Sequence, residues 1–124
     1  AVTYDLISQD NVFLGGLISP GIEMSANALF EKTSKLFKTD LIFPESPVST
    51  TTVGNIQSGL FYGKLFEILG VIDYIKENKF SDLKIVITGG FAKEFIEKFK
   101  DTGTIYEENL TLEGISLIYK FLQV

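Results

Sequence analysis

Ten consecutive residues, Leu83-Lys84-Ile85-Val86-Ile87-Thr88-Gly89-Gly90-Phe91-Ala92, hold the pattern with the most chemical content. Leu83 to Ile87 reads as a short apolar strand that runs into Thr88-Gly89-Gly90 and then into a helix with inward residues at Ala92, Phe95, Ile96 and Phe99. Two glycines at the end of a strand leave no Cβ there. Backbone can then approach a flat or phosphorylated ligand closely, and the helix that follows offers free N–H groups in its first turn. The same residues also fit a strand-to-helix turn that needs positive φ, and by themselves they leave both readings open.

The side chains available for chemistry are few in kind. The chain has no His and no Cys, so it supplies no His-dependent triad, thiol nucleophile, disulfide or usual zinc site of its own. Carboxylates, hydroxyls, Lys and backbone amides remain. Those groups suit phosphoryl transfer, where positioning and electrostatics do nearly all the catalysis and Mg²⁺ commonly supplies positive charge; they suit a protein without catalysis equally well. Net charge is −5, and the 11 basic residues, all Lys, are scattered along the chain, which argues against a nucleic-acid surface. Every apolar run is broken well before membrane-spanning length and no leader is visible, so the expected location is cytoplasmic.

The elements that must position these groups follow from patterning. At 124 residues, 45% of them hydrophobic, the chain fits one compact domain with a sizeable core. Ala1 to Ile7 and Val12 to Ile18 are rich in β-formers and flank the turn cluster Ser8-Gln9-Asp10-Asn11, which predicts an antiparallel hairpin. The chain opens inside this first strand with no Met before it, and a fragment of a longer protein is expected. After Ser19-Pro20-Gly21, helical spacing runs from Ile22 through about Phe37, by way of Ala26, Leu29, Phe30, Thr33 and Leu36. Lys38 to Thr52, with two prolines and hydroxyls from Ser49 to Thr52, reads as a loop with at most a short strand.

Val53 to Asn78 is the longest helical pattern, with Phe61, Leu65, Ile68, Ile72 and Ile75 in one stripe that Ile56, Leu60 and Leu69 broaden. Gly59, Gly63 and Gly70 share one face of it, and each costs about 1 kcal/mol of helix stability relative to Ala. Close packing of another helix or of a symmetry mate would explain them, the alternative being a merely imperfect helix. Thr104-Ile105-Tyr106 reads as a short edge strand, and Thr111 as the cap of a last helix with Ile115, Ile118, Tyr119 and Leu122 on one face.

These motifs, taken together and in order, resemble the type III pantothenate kinases, of the superfamily of acetate and sugar kinases and actin. Ala1-x-Thr3-x-Asp5 is similar to the end of the family's Asp-x-Gly-Thr-Ala-x-Thr-x-Asp phosphate segment, and Gly15-Gly16-x-Ile18-x-Pro20-Gly21 to its glycine-proline segment. Thr52-x-x-x-Ile56-x-Ser58-Gly59 is similar to the start of its long helix, while Thr88-Gly89-Gly90 and Asn109-Leu110-Thr111-Leu112-x-Gly114 match its adenosine-side turn and last helix start. Each match is short; their order over the whole chain is specific.

The resemblance implies an α/β, RNase H-like (actin-like ATPase) lobe over residues 1–124, with a mixed sheet that begins with the hairpin and helices packed on it. It would be the C-terminal half of a two-lobe kinase that uses ATP with Mg²⁺, and a monovalent cation, K⁺ or NH₄⁺, to phosphorylate pantothenate on the way to coenzyme A. It also implies a homodimer through the Val53–Asn78 helix. The implied roles are Thr52 against pantothenate, and Thr88, Gly89 and Gly90 against the adenosine. Thr3 and Asp5 are phosphate-side candidates, though a strand-end carboxylate with a satisfied hydrogen bond is the better account of Asp5. The family's Gly-x-Asp-Arg segment with its catalytic Asp has no counterpart here, so no catalytic residue and no metal ligand is assigned to this chain, and the fragment alone is expected to be inactive. Two other readings stay open: a non-catalytic relative acting as a transcription accessory or binding protein, and a kinase of the same superfamily with another hydroxylated substrate.

Overall fold

The computed structural model describes residues 1–33 and 36–123, which fold as two compact units, Ala1–Gly70 and Val71–Val124. In the first unit, strands β1 (Val2–Ile7) and β2 (Phe13–Ser19) pair antiparallel, with Tyr4 opposite Leu17 and Asp5 opposite Gly16. The expected turn closes them: the Ser8 N–H donates to the Val12 carbonyl (2.9 Å) and the Asn11 N–H to the Ser8 carbonyl (3.0 Å). Asn11 takes φ 61°, a conformation Asn tolerates better than most residues. Gly16 is there because of a close approach, since a Cβ on it would stand 2.0 Å from the Tyr4 carbonyl oxygen.

Helix α1 (Ile22–Lys32) follows Pro20-Gly21 and buries Ile22 and Ala26. It stops well short of the expected Phe37. Thr33 is extended (φ −121°, ψ 136°) and its hydroxyl donates back to the Leu29 carbonyl at 2.6 Å, a local bond that competes with continuing the helix. Ser34 and Lys35, which the helical spacing also covered, lie outside the described residues, and Leu36 and Phe37 are not helical. From there to Ser49 the chain is loop without a strand.

Helix α2 (Thr52–Asn78) is the longest element. Its first half supplies most of the core, Ile56, Leu60, Phe61 and Leu65, with Phe61 fully buried, while Ile68, Leu69, Ile72 and Ile75 are half-buried. The loop is held on this half by aromatic packing and by hydrogen bonds. The Phe43 ring stands 5.1 Å from Phe61 and 5.0 Å from Tyr62, the Tyr62 hydroxyl donates to the Glu45 carbonyl (2.9 Å), and the buried Ser58 hydroxyl donates to the Pro47 carbonyl.

In the second unit β3 (Val86–Ile87) pairs parallel with β4 (Ile105–Tyr106). The crossover between them is α3 (Ala92–Ile96) followed by a 3₁₀ turn, Glu97–Thr102. Ala92, Phe95 and Phe99 are buried, as their spacing predicts, whereas Ile96 is half-buried. Among the described residues the strands pair within each unit, antiparallel in the first and parallel in the second. Two-residue strands make too short a ladder to extend a sheet far.

Helix α4 (Leu110–Leu122) begins one residue before the expected cap. Asn109 is the N-cap residue and its carbonyl accepts the Glu113 N–H at 2.9 Å, so Thr111 sits inside the first turn. The expected inward face is exposed, with Ile115, Ile118, Tyr119 and Leu122 between 58% and 75% accessible. Leu112, Leu117 and Phe121 extend the apolar arc around most of the circumference and leave only the narrow polar stripe of Glu113, Ser116 and Lys120. Among the described residues, no helix is long and apolar enough to cross a membrane.

Candidate functional site

Strand alternation turns Tyr4 to one face of β1 and Thr3 and Asp5 to the other, where both are exposed. Asp5 lies in mid-strand, not at a strand end, and among the described residues its carboxylate has no hydrogen-bond or ion-pair partner. A satisfied structural carboxylate is therefore not what the fold shows. Thr3 and Asp5, two residues apart, share this face.

Thr52 opens α2. A hydroxyl at the start of a helix can serve as its cap, but here that role belongs to the neighbour: the Thr51 hydroxyl accepts the Gly54 N–H at 3.1 Å, and the Thr51 N–H in turn donates to the Ser49 hydroxyl at 3.2 Å. Thr52 instead lines an open recess of about 340 Å³ together with Leu29, Leu36, Asn55, Ile56 and Gly59. One wall of this recess is aliphatic, and its polar groups are Thr52 and Asn55, one helical turn apart. Such a lining accommodates a small branched molecule with hydrogen-bonding groups.

Thr88, Gly89 and Gly90 follow the carboxyl end of β3 in the second unit. Gly89 has φ +108°, so the turn requires a glycine there, and its carbonyl accepts the Ala92 N–H at 3.1 Å. Gly90 has no such requirement. A Cβ on it would meet nothing within 4 Å, so the absence of a side chain leaves an open surface that packing does not explain. The helix that follows is only five residues long, too short to present the expected helix-terminal anion site. Beyond the turn, Lys93 Nζ stands 2.6 Å from Glu108 Oε1. That hydrogen bond and the Glu108 charge raise the Lys93 pKa, but both groups are exposed and the pair is well screened.

A cluster that sequence reasoning missed joins the hairpin to α2. Lys64 is 7% exposed, and its ammonium donates to Ser19 Oγ (2.9 Å) and to Glu67 Oε2 (2.7 Å). Glu67 Oε1 accepts from the Ser19 hydroxyl and from the Tyr4 hydroxyl, each at 2.6 Å. Burial and the Glu67 carboxylate push the Tyr4 phenol well above its ordinary range. Partial burial would raise the Glu67 carboxyl, but the hydrogen bonds from Lys64, Ser19 and Tyr4 outweigh it and hold the carboxyl below its usual value. The available signal was a Lys and a Glu three residues apart between the apolar positions of a helix that is otherwise buried on that side.

Comparison with known proteins places these elements in context. The sequence model of a family described as type III pantothenate kinase matches residues 1–74, the stretch that holds the hairpin, α1, the loop and most of α2. Proteins named type III pantothenate kinase align along nearly the whole chain. The one from Halalkalibacterium halodurans is 39% identical over 120 residues, 97% of this chain and 47% of that protein. Those from Agathobacter rectalis and Roseobacter denitrificans are 35% and 34% identical, over 97% and 98% of this chain and 46% and 47% of their own length. The chain spans about half the length of the curated relatives it matches.

Proposed function

The chain belongs to the type III pantothenate kinase family, and on that premise we propose that it is the C-terminal, RNase H-like lobe of an ATP-dependent, cytoplasmic kinase that phosphorylates a hydroxyl of pantothenate. The observation that carries this reading is the family match across residues 1–74, which takes in both the paired Thr3 and Asp5 and the Thr52 recess. Thr52 hydrogen-bonds the acceptor, Thr3 and Asp5 face the phosphates, and Thr88, Gly89 and Gly90 leave room for the adenosine. Binding and orientation are this chain's share of the reaction, since phosphoryl transfer depends on them for most of its rate.

Magnesium bound with ATP supplies positive charge to the phosphate oxygens. Among the described residues no three acidic side chains converge as a cation cage. The monovalent cation and the catalytic base are assigned, on the family resemblance, to the other lobe beyond this chain. Nucleic acid and membrane have no part in the proposal.

The test is direct. Full-length protein, given ATP and pantothenate, is expected to form phosphopantothenate, and the purified 124-residue chain is expected to form none. Robust turnover by the short chain would overturn the assignment of the base elsewhere, and a full-length protein that binds without turnover would replace the kinase by a non-catalytic relative.

The same helix provides the proposed dimer surface. Gly59, Gly63 and Gly70 are exposed, a Cβ on any of them meets nothing within 4 Å, and Phe66 beside them is 59% exposed. A small-residue stripe next to an exposed ring is a surface that gains by close packing against its own copy. Gly63→Leu is expected to shift full-length protein from dimer to monomer in sedimentation, and unchanged sedimentation would put the dimer contact elsewhere.

A further inference from the structure

We infer that Tyr4, Ser19, Lys64 and Glu67 form a positioning lock, one that holds the strand bearing Thr3 and Asp5 in fixed register against the helix bearing Thr52. Tyr4 stands between Thr3 and Asp5 in β1 with its side chain on the opposite face, so anchoring its hydroxyl at Glu67 fixes both neighbours along the strand. Val2 pairs with Ser19, which puts Ser19 on the Tyr4 face of β2, and both strands are therefore held at one carboxylate. Lys64 and Glu67 belong to α2, whose first residue, Thr52, is about 18 Å from Lys64 and about 22 Å from Glu67 along an uninterrupted helix at 1.5 Å per residue.

The chemistry of the four groups favours register over adhesion. Apolar faces slide past one another at little cost, whereas each bond in this chain has a defined donor and acceptor. The Ser19 hydroxyl donates to Glu67 and accepts from Lys64, so it is engaged in both directions, and Glu67 Oε1 accepts twice. Shifting β1 by one residue would turn Tyr4 to the other face and leave the Glu67 carboxylate with one donor fewer. The role of these residues in the reaction rests on the kinase reading above, whereas their role in holding β1 does not.

Tyr4→Phe and Ser19→Ala in the full-length protein separate positioning from plain stabilisation. Both are expected to lower kcat about tenfold or more, at a temperature where the protein stays folded, with the pantothenate and ATP KM changed less than threefold, because a displaced phosphate strand misaligns a bound substrate. Ser19→Thr, which keeps the hydroxyl, is expected to restore kcat. A lower melting temperature with unchanged kcat would overturn the proposal. Amide exchange is followed in the same variants without substrate: the Thr3 and Asp5 N–H groups are expected to exchange faster in Tyr4→Phe while those of α1 hold. If the parent protein turns over no pantothenate, the kinase reading fails and exchange alone decides the lock; unchanged exchange at Thr3 and Asp5 overturns it.

Discussion

Glu67→Leu is expected to destabilise the full-length protein by about 2–3 kcal/mol at neutral pH. Removing one member of a fully buried ion pair costs roughly 3–5 kcal/mol because the other charge is left without compensation. Lys64 is 7% exposed but Glu67 is 34% exposed, so water screens part of the pair and the lower figure applies. The apolar replacement fills similar space, so the loss reports the stranded ammonium and the two hydroxyls that donated to the carboxylate. The pH dependence has a definite sign. The folded-state pKa of Glu67 lies below its ordinary value of 4.5, so its contribution is present above that value and is lost as pH falls through the folded one. The stability gap between parent and variant should therefore be widest at neutral pH and close in acid. Denaturant titrations at pH 7 and near pH 3 measure it, and a gap that stays constant between them would mean that the carboxylate charge contributes nothing.

The hairpin, the long helix and the buried positions Ala92, Phe95 and Phe99 were legible because each rests on short-range patterning: period two across a turn cluster, and helical spacing of apolar side chains. Thr33 ended α1 early through a bond to its own helix, which spacing does not register. Which hydroxyl caps α2 stayed open in the sequence, because Ser49 to Thr52 are chemically equivalent until the backbone assigns the Gly54 N–H to Thr51. Helix α4 shows a different limit. Its apolar residues predict burial, but which side is covered depends on what surrounds the helix, and no pattern within it supplies that. The lock was out of reach for a similar reason: a sequence separation of 45 residues between Ser19 and Lys64 carries no local signal.

Of the site candidates, the two glycines now separate. Positive φ accounts for Gly89 whether or not a ligand binds, and only Gly90, open and unstrained, retains a role that packing leaves unexplained. Thr3 and Asp5 share an exposed strand face that the core does not use. The lining of the recess beside α2 extends the acceptor candidates from Thr52 to a polar pair, with Asn55 on the same wall.

Thr52→Val provides the sharpest reading of that recess, because the structure has assigned the capping role elsewhere. Thr51 accepts the Gly54 N–H, so Thr51→Val is expected to cost about 0.5–2 kcal/mol of stability, the range for a lost helix cap, with kinetics nearly unchanged. Thr52→Val removes no hydrogen bond seen among the described residues, and at the first helical position it should leave the melting temperature within a degree or two of the parent, as roughly expected of an exposed substitution. If the hydroxyl holds pantothenate, the loss appears in the reaction instead. An acceptor group desolvated in the recess then lacks its partner, which lowers kcat/KM for pantothenate by about 1–3 kcal/mol, or roughly 5- to 150-fold, while the KM for ATP hardly moves. The two variants therefore exchange phenotypes: one loses stability and keeps turnover, the other keeps stability and loses turnover. Steady-state kinetics and thermal melts of both in the full-length protein measure this, and an unchanged pantothenate kcat/KM for Thr52→Val would remove Thr52 from the acceptor site and leave the recess to Asn55 and its aliphatic wall.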